Sequence, residues 1–90
     1  FSPDNDGYHD IVNISYKFQL PGYVATLIIF DALGRPVRYL LNNALLNREG
    51  LISWDGVTKD GHKATPGIYI VYLEAFEPKG NVKKIKTTTP

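Results

Sequence analysis

Between Ile11 and Leu20 the chain alternates without a break. Val12, Ile14, Tyr16, Phe18 and Leu20 fall on one face, and Asn13, Ser15, Lys17 and Gln19 on the other. Period-two alternation sets one face of an extended chain against a core and leaves the other in water, which is a half-buried antiparallel strand. A strand needs partners, and the rest of the chain is punctuated to supply them. Leu20-Pro21-Gly22 ends the first stretch, because proline sets φ and glycine accepts the positive φ of a type II turn. Tyr23 to Phe30 is apolar on both faces, Ala25, Leu27 and Ile29 on one and Val24, Ile28 and Phe30 on the other. It reads as a central strand or one whose outer face is covered.

Asp31-Ala32-Leu33-Gly34-Arg35 is a hairpin loop returning into Pro36 to Leu41. Asn42 to Gly50 is polar and asparagine-rich and reads as a connection, with Leu45 and Leu46 tucked over one end of the core. Leu51 to Trp54 is the next strand, and Trp54, the only tryptophan, is expected in the core because its ring brings the largest apolar area. Asp55 to Gly67 is the longest loop, read as two successive tight turns, and Ile68 to Phe76 is a second strand apolar on both faces. Glu77-Pro78-Lys79-Gly80-Asn81 turns the chain into a last strand, Val82 to Thr88. Short strands with turn signals every 8 to 12 residues predict an all-β fold, a single immunoglobulin-like antiparallel β-sandwich of about seven strands over residues 1–90.

Composition narrows the function classes. Ninety residues form one domain that buries about 60 to 65% of its unfolded surface. No run approaches the roughly 20 apolar residues of a membrane span. With no cysteine, there is no disulfide framework, thiolate metal site or Cys nucleophile. A net charge of +1 is too small for a nucleic-acid field. The basic residues that do gather, Lys79, Lys83, Lys84 and Lys86, lie in and before the last strand, where alternating lysines form a solvated face or guard an edge. A chain without methionine that opens on Phe1 is expected to be a domain cut from a longer protein or a processed product.

One stretch carries candidate chemistry. Phe1-Ser2-Pro3-Asp4-Asn5-Asp6-Gly7-Tyr8-His9-Asp10 packs three carboxylates, an amide and a glycine immediately before the first strand. Oxygen ligands at alternate positions of a curled loop suit a hard cation. A calcium site would take carboxylates from Asp4, Asp6 and Asp10, the amide oxygen of Asn5 and the carbonyl of Tyr8, with Gly7 making the bend. The competing reading is a set of Asx turns leading into the strand, since the later bidentate Glu of an EF-hand is missing. His9 and His62 are the only histidines, and neither is flanked by a transition-metal pattern. Ser53, His62 and Asp55 can be written as a triad, but a strand serine without a sharp elbow or an oxyanion hole is a poor nucleophile, so no enzyme is expected. Tyr8, Tyr23, Tyr39 and Tyr72, with Phe30, offer a strip on which pyranose rings can stack, or else belong to core or interface.

Four motifs in order, Phe-Ser-Pro-Asp-Asn-Asp-Gly at 1–7, Ile-Phe-Asp-Ala-Leu-Gly-Arg-Pro-Val-Arg at 29–38, Ser-Trp-Asp-Gly at 53–56 and Thr-Pro-Gly-Ile-Tyr at 65–69, carry a resemblance across nearly the whole chain. The chain resembles the Ig-like C-terminal domains of bacterial secreted and surface proteins. These are related to the Ig-like domain of the flagellar hook-capping protein and to the C-terminal sorting domains of Bacteroidetes type IX secretion. It is most similar to the tails of Bacteroidetes surface proteins that carry lamin-tail domains. The resemblance implies export to the extracellular space or the bacterial surface, with neighbouring domains or secretion and cell-surface machinery as partners. Sorting tails of this kind finish in a lysine-bearing strand followed by a few more apolar residues. Lys83-Lys84-Ile85-Lys86 is similar, and with the sequence stopping at Thr87-Thr88-Thr89-Pro90 the last segment is expected to be either trimmed or absent. The expected function is a non-catalytic accessory module for sorting, anchoring or spacing. The alternative is a carbohydrate-binding or Ca²⁺-dependent module attached to a secreted enzyme.

Overall fold

The computed structural model describes residues 11–89. Among them the chain forms six strands and no helix: β1 (Val12–Lys17), β2 (Val24–Phe30), β3 (Pro36–Leu45), β4 (Glu49–Trp54), β5 (Ile70–Phe76) and β6 (Val82–Thr88). No helix is therefore long and apolar enough to cross a membrane among these residues. The strands divide into two sheets, β1 paired with β4 and a four-stranded sheet in the order β3-β2-β5-β6, with every pair antiparallel. β2–β3 and β5–β6 are hairpins, while the links β1 to β2, β3 to β4 and β4 to β5 cross between sheets. That is immunoglobulin-like connectivity, with β1 and β4 standing as strands B and E and β3, β2, β5 and β6 as C′, C, F and G.

Six strands rather than about seven are present among the described residues, and the segment 42–50 departs from its expected structure. Read as a polar connection, it instead extends the strands on either side, residues 42–45 continuing β3 and 49–50 opening β4. Pairing overrides composition here. Ala44 lies opposite Ala25 and Leu45 opposite Val24, and the Asn43 N–H donates to Thr26 Oγ1 at 3.3 Å from a left-handed backbone with φ 52°. Leu46 packs against the core as expected, but Leu45 is 74% exposed, because consecutive residues of an extended chain point to opposite sides. At the other end, β1 stops at Lys17 rather than Leu20. Phe18 is buried and stacks on Tyr23 with ring centroids 4.2 Å apart, and Leu20, left on the crossing link, is exposed. β5 likewise begins at Ile70 and not Ile68.

The alternation of β2 and β5 decides which faces meet. Ala25, Leu27 and Ile29 on β2 and Val71, Leu73 and Ala75 on β5 are buried, with Leu27 and Ile29 fully so. From the other sheet, Trp54 is fully buried and meets Tyr69 edge-on at 5.3 Å, while Val12, Ile14, Tyr16 and Ile52 pack around it half-buried. The indole N–H donates to the Val57 carbonyl at 2.9 Å, so burying the ring orphans no donor.

A five-residue turn recurs at 31–35, 58–62 and 77–81. In each, the first N–H donates to the fifth carbonyl (2.9, 2.7 and 3.1 Å), and a glycine N–H at the fourth position donates back to the first carbonyl (3.0, 3.0 and 2.9 Å). Gly34, Gly61 and Gly80 have φ of 83°, 84° and 96°, the left-handed backbone that closes a hairpin with a bulge and that side chains resist. The long loop 55–67 is thus built from tight turns. It is clamped by the Val57–Lys63 bridge and by the Lys59 N–H donating to the Val37 carbonyl at 2.8 Å.

Replacing Leu27 by Ala should lower the unfolding free energy by about 2 to 5 kcal/mol, since its site has no freedom to collapse. Leu33→Ala, at a residue 79% exposed, should move it by less than about 0.5 kcal/mol. Urea denaturation followed by the fluorescence of Trp54 separates the two, and equal losses would contradict this core.

Candidate functional site

The face of the four-stranded sheet turned away from β1 and β4 is the most unusual surface of the molecule. Directly opposed residues of antiparallel strands share a face, so the registers can be read straight across the sheet. Leu45, Val24, Phe76 and Val82 form one row through all four strands. Tyr39, Ile28, Tyr72 and Lys86 form a second, and Pro36, Phe30, Ile70 and Thr88 a third. Between the first two rows lie Thr26, Glu74 and Lys84. Val24, Ile28, Phe30, Ile70 and Tyr72 are half-buried only by their neighbours' side chains, whereas Leu45, Val82, Tyr39 and Phe76 stand 74, 56, 50 and 47% exposed. A shallow hollow of about 330 Å³ opens among Phe30, Gly34, Ile70, Tyr72 and Lys86.

Of the aromatic strip expected from the sequence, the fold brings Phe30, Tyr39 and Tyr72 onto this face. It sends Tyr23 inward, 3% exposed against Phe18. The separation follows from parity, since Tyr23 precedes β2 in phase with Ala25 and Leu27. The Tyr72 hydroxyl donates to Glu74 Oε2 at 2.8 Å, which leans the ring along the strand and over the sheet. This bond to a carboxylate favours the neutral phenol and holds the Tyr72 pKa above its ordinary 10.0.

Tyr8, His9 and the calcium candidates Asp4, Asn5, Asp6, Tyr8 and Asp10 lie outside the described residues. Among the described residues, no group of three or more His, Asp or Glu side chains is placed to hold a metal ion. Ser53, Asp55 and His62 are not joined into a relay. The Ser53 hydroxyl donates to Asn13 Oδ1 at 2.7 Å, and Asp55 Oδ1 accepts the Val57 N–H at 3.0 Å.

A second concavity, an open cleft of about 410 Å³, lies where loop 31–35 meets loop 55–69, with exposed Leu33 and Ile68 on its walls. Asp31 lines it, but both of its carboxylate oxygens are engaged by the turn it heads. Oδ1 accepts the N–H of Leu33 at 3.0 Å and of Arg35 at 2.9 Å, and Oδ2 accepts Arg35 Nε at 2.7 Å. Asp31 and Asp55 thus serve as the turn aspartates their positions suggest. Glu77, which the sequence reading passed over, does the same from a buried position. Its Oε2 accepts the Lys79 N–H and its Oε1 the Asn81 N–H, each at 3.0 Å. The signal was present in the spacing, since Glu77-x-x-Gly80-x repeats Asp31-x-x-Gly34-x.

Comparison of the chain with protein-family models, curated proteins and solved structures found no match.

The turn carboxylates carry a pH signature. The Arg35 N–H, helped by its guanidinium and by the Leu33 N–H, holds the Asp31 carboxyl below its ordinary 3.8, and the N–H groups of Lys79 and Asn81 hold Glu77 below its ordinary 4.5. A carboxyl depressed in the folded state contributes stability that is complete above its unfolded value and lost as pH falls through its folded value. Melting temperature should therefore fall as pH drops through and below about 4.5, and the fall should be shallower in Asp31→Asn/Glu77→Gln. An unchanged acid limb in the double variant would remove both carboxylates from the acid response.

Proposed function

We propose that the chain is a non-catalytic, immunoglobulin-like accessory module of an exported bacterial protein, which acts by contact in sorting, surface anchoring or spacing. The observation that carries this is the outer face of the four-stranded sheet, where three rows led by apolar side chains lie uncovered by β1 and β4. β1 and β4 close the inner layer, so the outer rows are not needed to complete the core. Strands about 4.8 Å apart and seven residues long make this face roughly 20 Å by 20 Å, on the order of 400 Å². That is about half of what each partner contributes to a stable complex between free proteins, and it fits the smaller contacts between domains of one chain. A neighbouring domain of the parent protein, or machinery that holds the module at high local concentration, is the partner this area suits. The export setting is supported by the four motifs described above.

A second reading, a carbohydrate-binding module, is favoured by the shared face of Phe30, Tyr39 and Tyr72, because aromatic faces pack on the apolar faces of pyranose rings. The two readings part on experiment. Residues 1–90 fused to a secreted reporter in a Bacteroidetes host should carry the reporter to the cell surface. Leu45→Ser/Phe76→Ser, at exposed positions that leave the core intact, should release it into the medium. A reporter that never reaches the surface rejects autonomous sorting, and one retained equally by the variant rejects the outer face as the contact. Hits on a glycan array that vanish in Tyr39→Ser would favour the carbohydrate reading.

A further inference from the structure

We propose that the free edge of β6 is a strand-addition site for an extended acidic segment of another protein. Among the described residues β6 is the outermost strand of the four-stranded sheet, and all seven of its residues are exposed. Its register with β5 runs unbroken from Ile70 opposite Thr88 to Phe76 opposite Val82. The opposite edge differs. β3 is interrupted by three register shifts against β2 and by the left-handed Asn43, irregularities that spoil an edge for further pairing. The sandwich therefore blunts one edge of this sheet by its backbone and leaves the other straight. A straight edge of seven residues offers unpaired N–H and C=O groups at alternate positions over about 23 Å, a template for an extended peptide.

Charge decides the occupant. Lys84 and Lys86 stand on the outer face, in register with Glu74 and Tyr72, and Lys83 on the inner face, in register with Ala75. Among the described residues, none of the three is in an ion pair. A second copy of this chain paired across the middle of β6 is disfavoured. An antiparallel β6–β6 pair centred on Ile85 sets Lys84 against Lys86 on each side of the axis, and like charges directly opposite destabilise a ladder. Glutamate or aspartate at the facing positions turns the same repulsion into attraction. The lysines thus both bar indiscriminate edge pairing and select for an acidic strand. This edge borders the outer face, to which β6 contributes Val82, Lys86 and Thr88, and Tyr39 at the far edge separates the two experimentally.

The test uses the 90-residue chain and a soluble heptapeptide in which glutamates alternate with valine and threonine, followed by backbone amide NMR. The acidic peptide should shift the amide signals of Val82 to Thr88, and the effect should weaken as salt is raised. Peptides with lysine in place of glutamate, or with a central proline that removes a ladder donor, should not shift them. Lys84→Glu/Lys86→Glu, at fully solvated positions, should keep the fold's spectrum. It should also weaken binding of the acidic peptide by about tenfold and gain binding of the lysine peptide. Tyr39→Ser should leave peptide binding unchanged. Several results would overturn the proposal: no shift at any soluble concentration, shifts confined to other strands, equal binding of the proline peptide, or β6 shifts produced by a single-stranded oligonucleotide and not by the acidic peptide.

Discussion

The burial of one side chain, Trp54, ties together parts of the chain that are otherwise only neighbours. It ends β4 in the two-stranded sheet, fills the layer beneath the four-stranded sheet, and meets Tyr69 at the threshold of β5. Its N–H is satisfied by the Val57 carbonyl, and the same carbonyl accepts Arg38 Nη1 at 3.0 Å from β3. One backbone oxygen thus connects both sheets and the longest loop. A ring of this size cannot be buried with its N–H unpaired without a penalty of about 1 to 3 kcal/mol, so the loop's conformation and the core's packing are settled together. The clamped loop then forms a wall of the end cleft, which is how core packing reaches the surface.

Around that anchor, the two faces of the larger sheet have opposite fates. The inner face is covered by β1 and β4, while the outer face carries largely apolar strands and, among the described residues, has no sheet upon it. Antiparallel sheets with one wet face ordinarily alternate apolar and polar residues, and β1 does so, exposing Asn13, Ser15 and Lys17. β2 and β5 break that rule at every outward position but Thr26 and Glu74. Such a departure adds nothing to the core, which the inner face completes. Edge management is uneven in the same sheet, with bulges on β3 and lysines on β6, and both devices keep an exposed sheet from pairing without control.

Much of this was legible in the residues because period-two patterning survives folding intact. The grouping of β2 and β5 residues into two faces, the burial of Trp54, and the hairpin glycines all follow from parity and turn chemistry. What was not legible depends on pairing between distant segments. Asn42 and Asn43 are poor strand formers, yet they lie in β3 as the irregular step between the pairs Leu27–Leu41 and Ala25–Ala44, carried by the ladder on either side of them. Leu20 shares the parity of Phe18 but not its burial, because the chain leaves the sheet between them. Tyr23 was grouped with Tyr39 and Tyr72 by residue type, and only the fold separated a core ring from surface rings.

The sequence by itself determined that the chain is all-β, where it turns, and which residues of each strand face the same way, since these are local consequences of backbone geometry and side-chain alternation. Tertiary structure alone decided which strands pair beyond the two hairpins and which of two apolar faces is covered. It also decided that Leu45, Val24, Phe76 and Val82, drawn from four strands, stand in one row. The physical reason is that alternation marks a face as apolar without naming what will lie against it. That choice is made by the topology, which among the described residues lays two strands over one side of four.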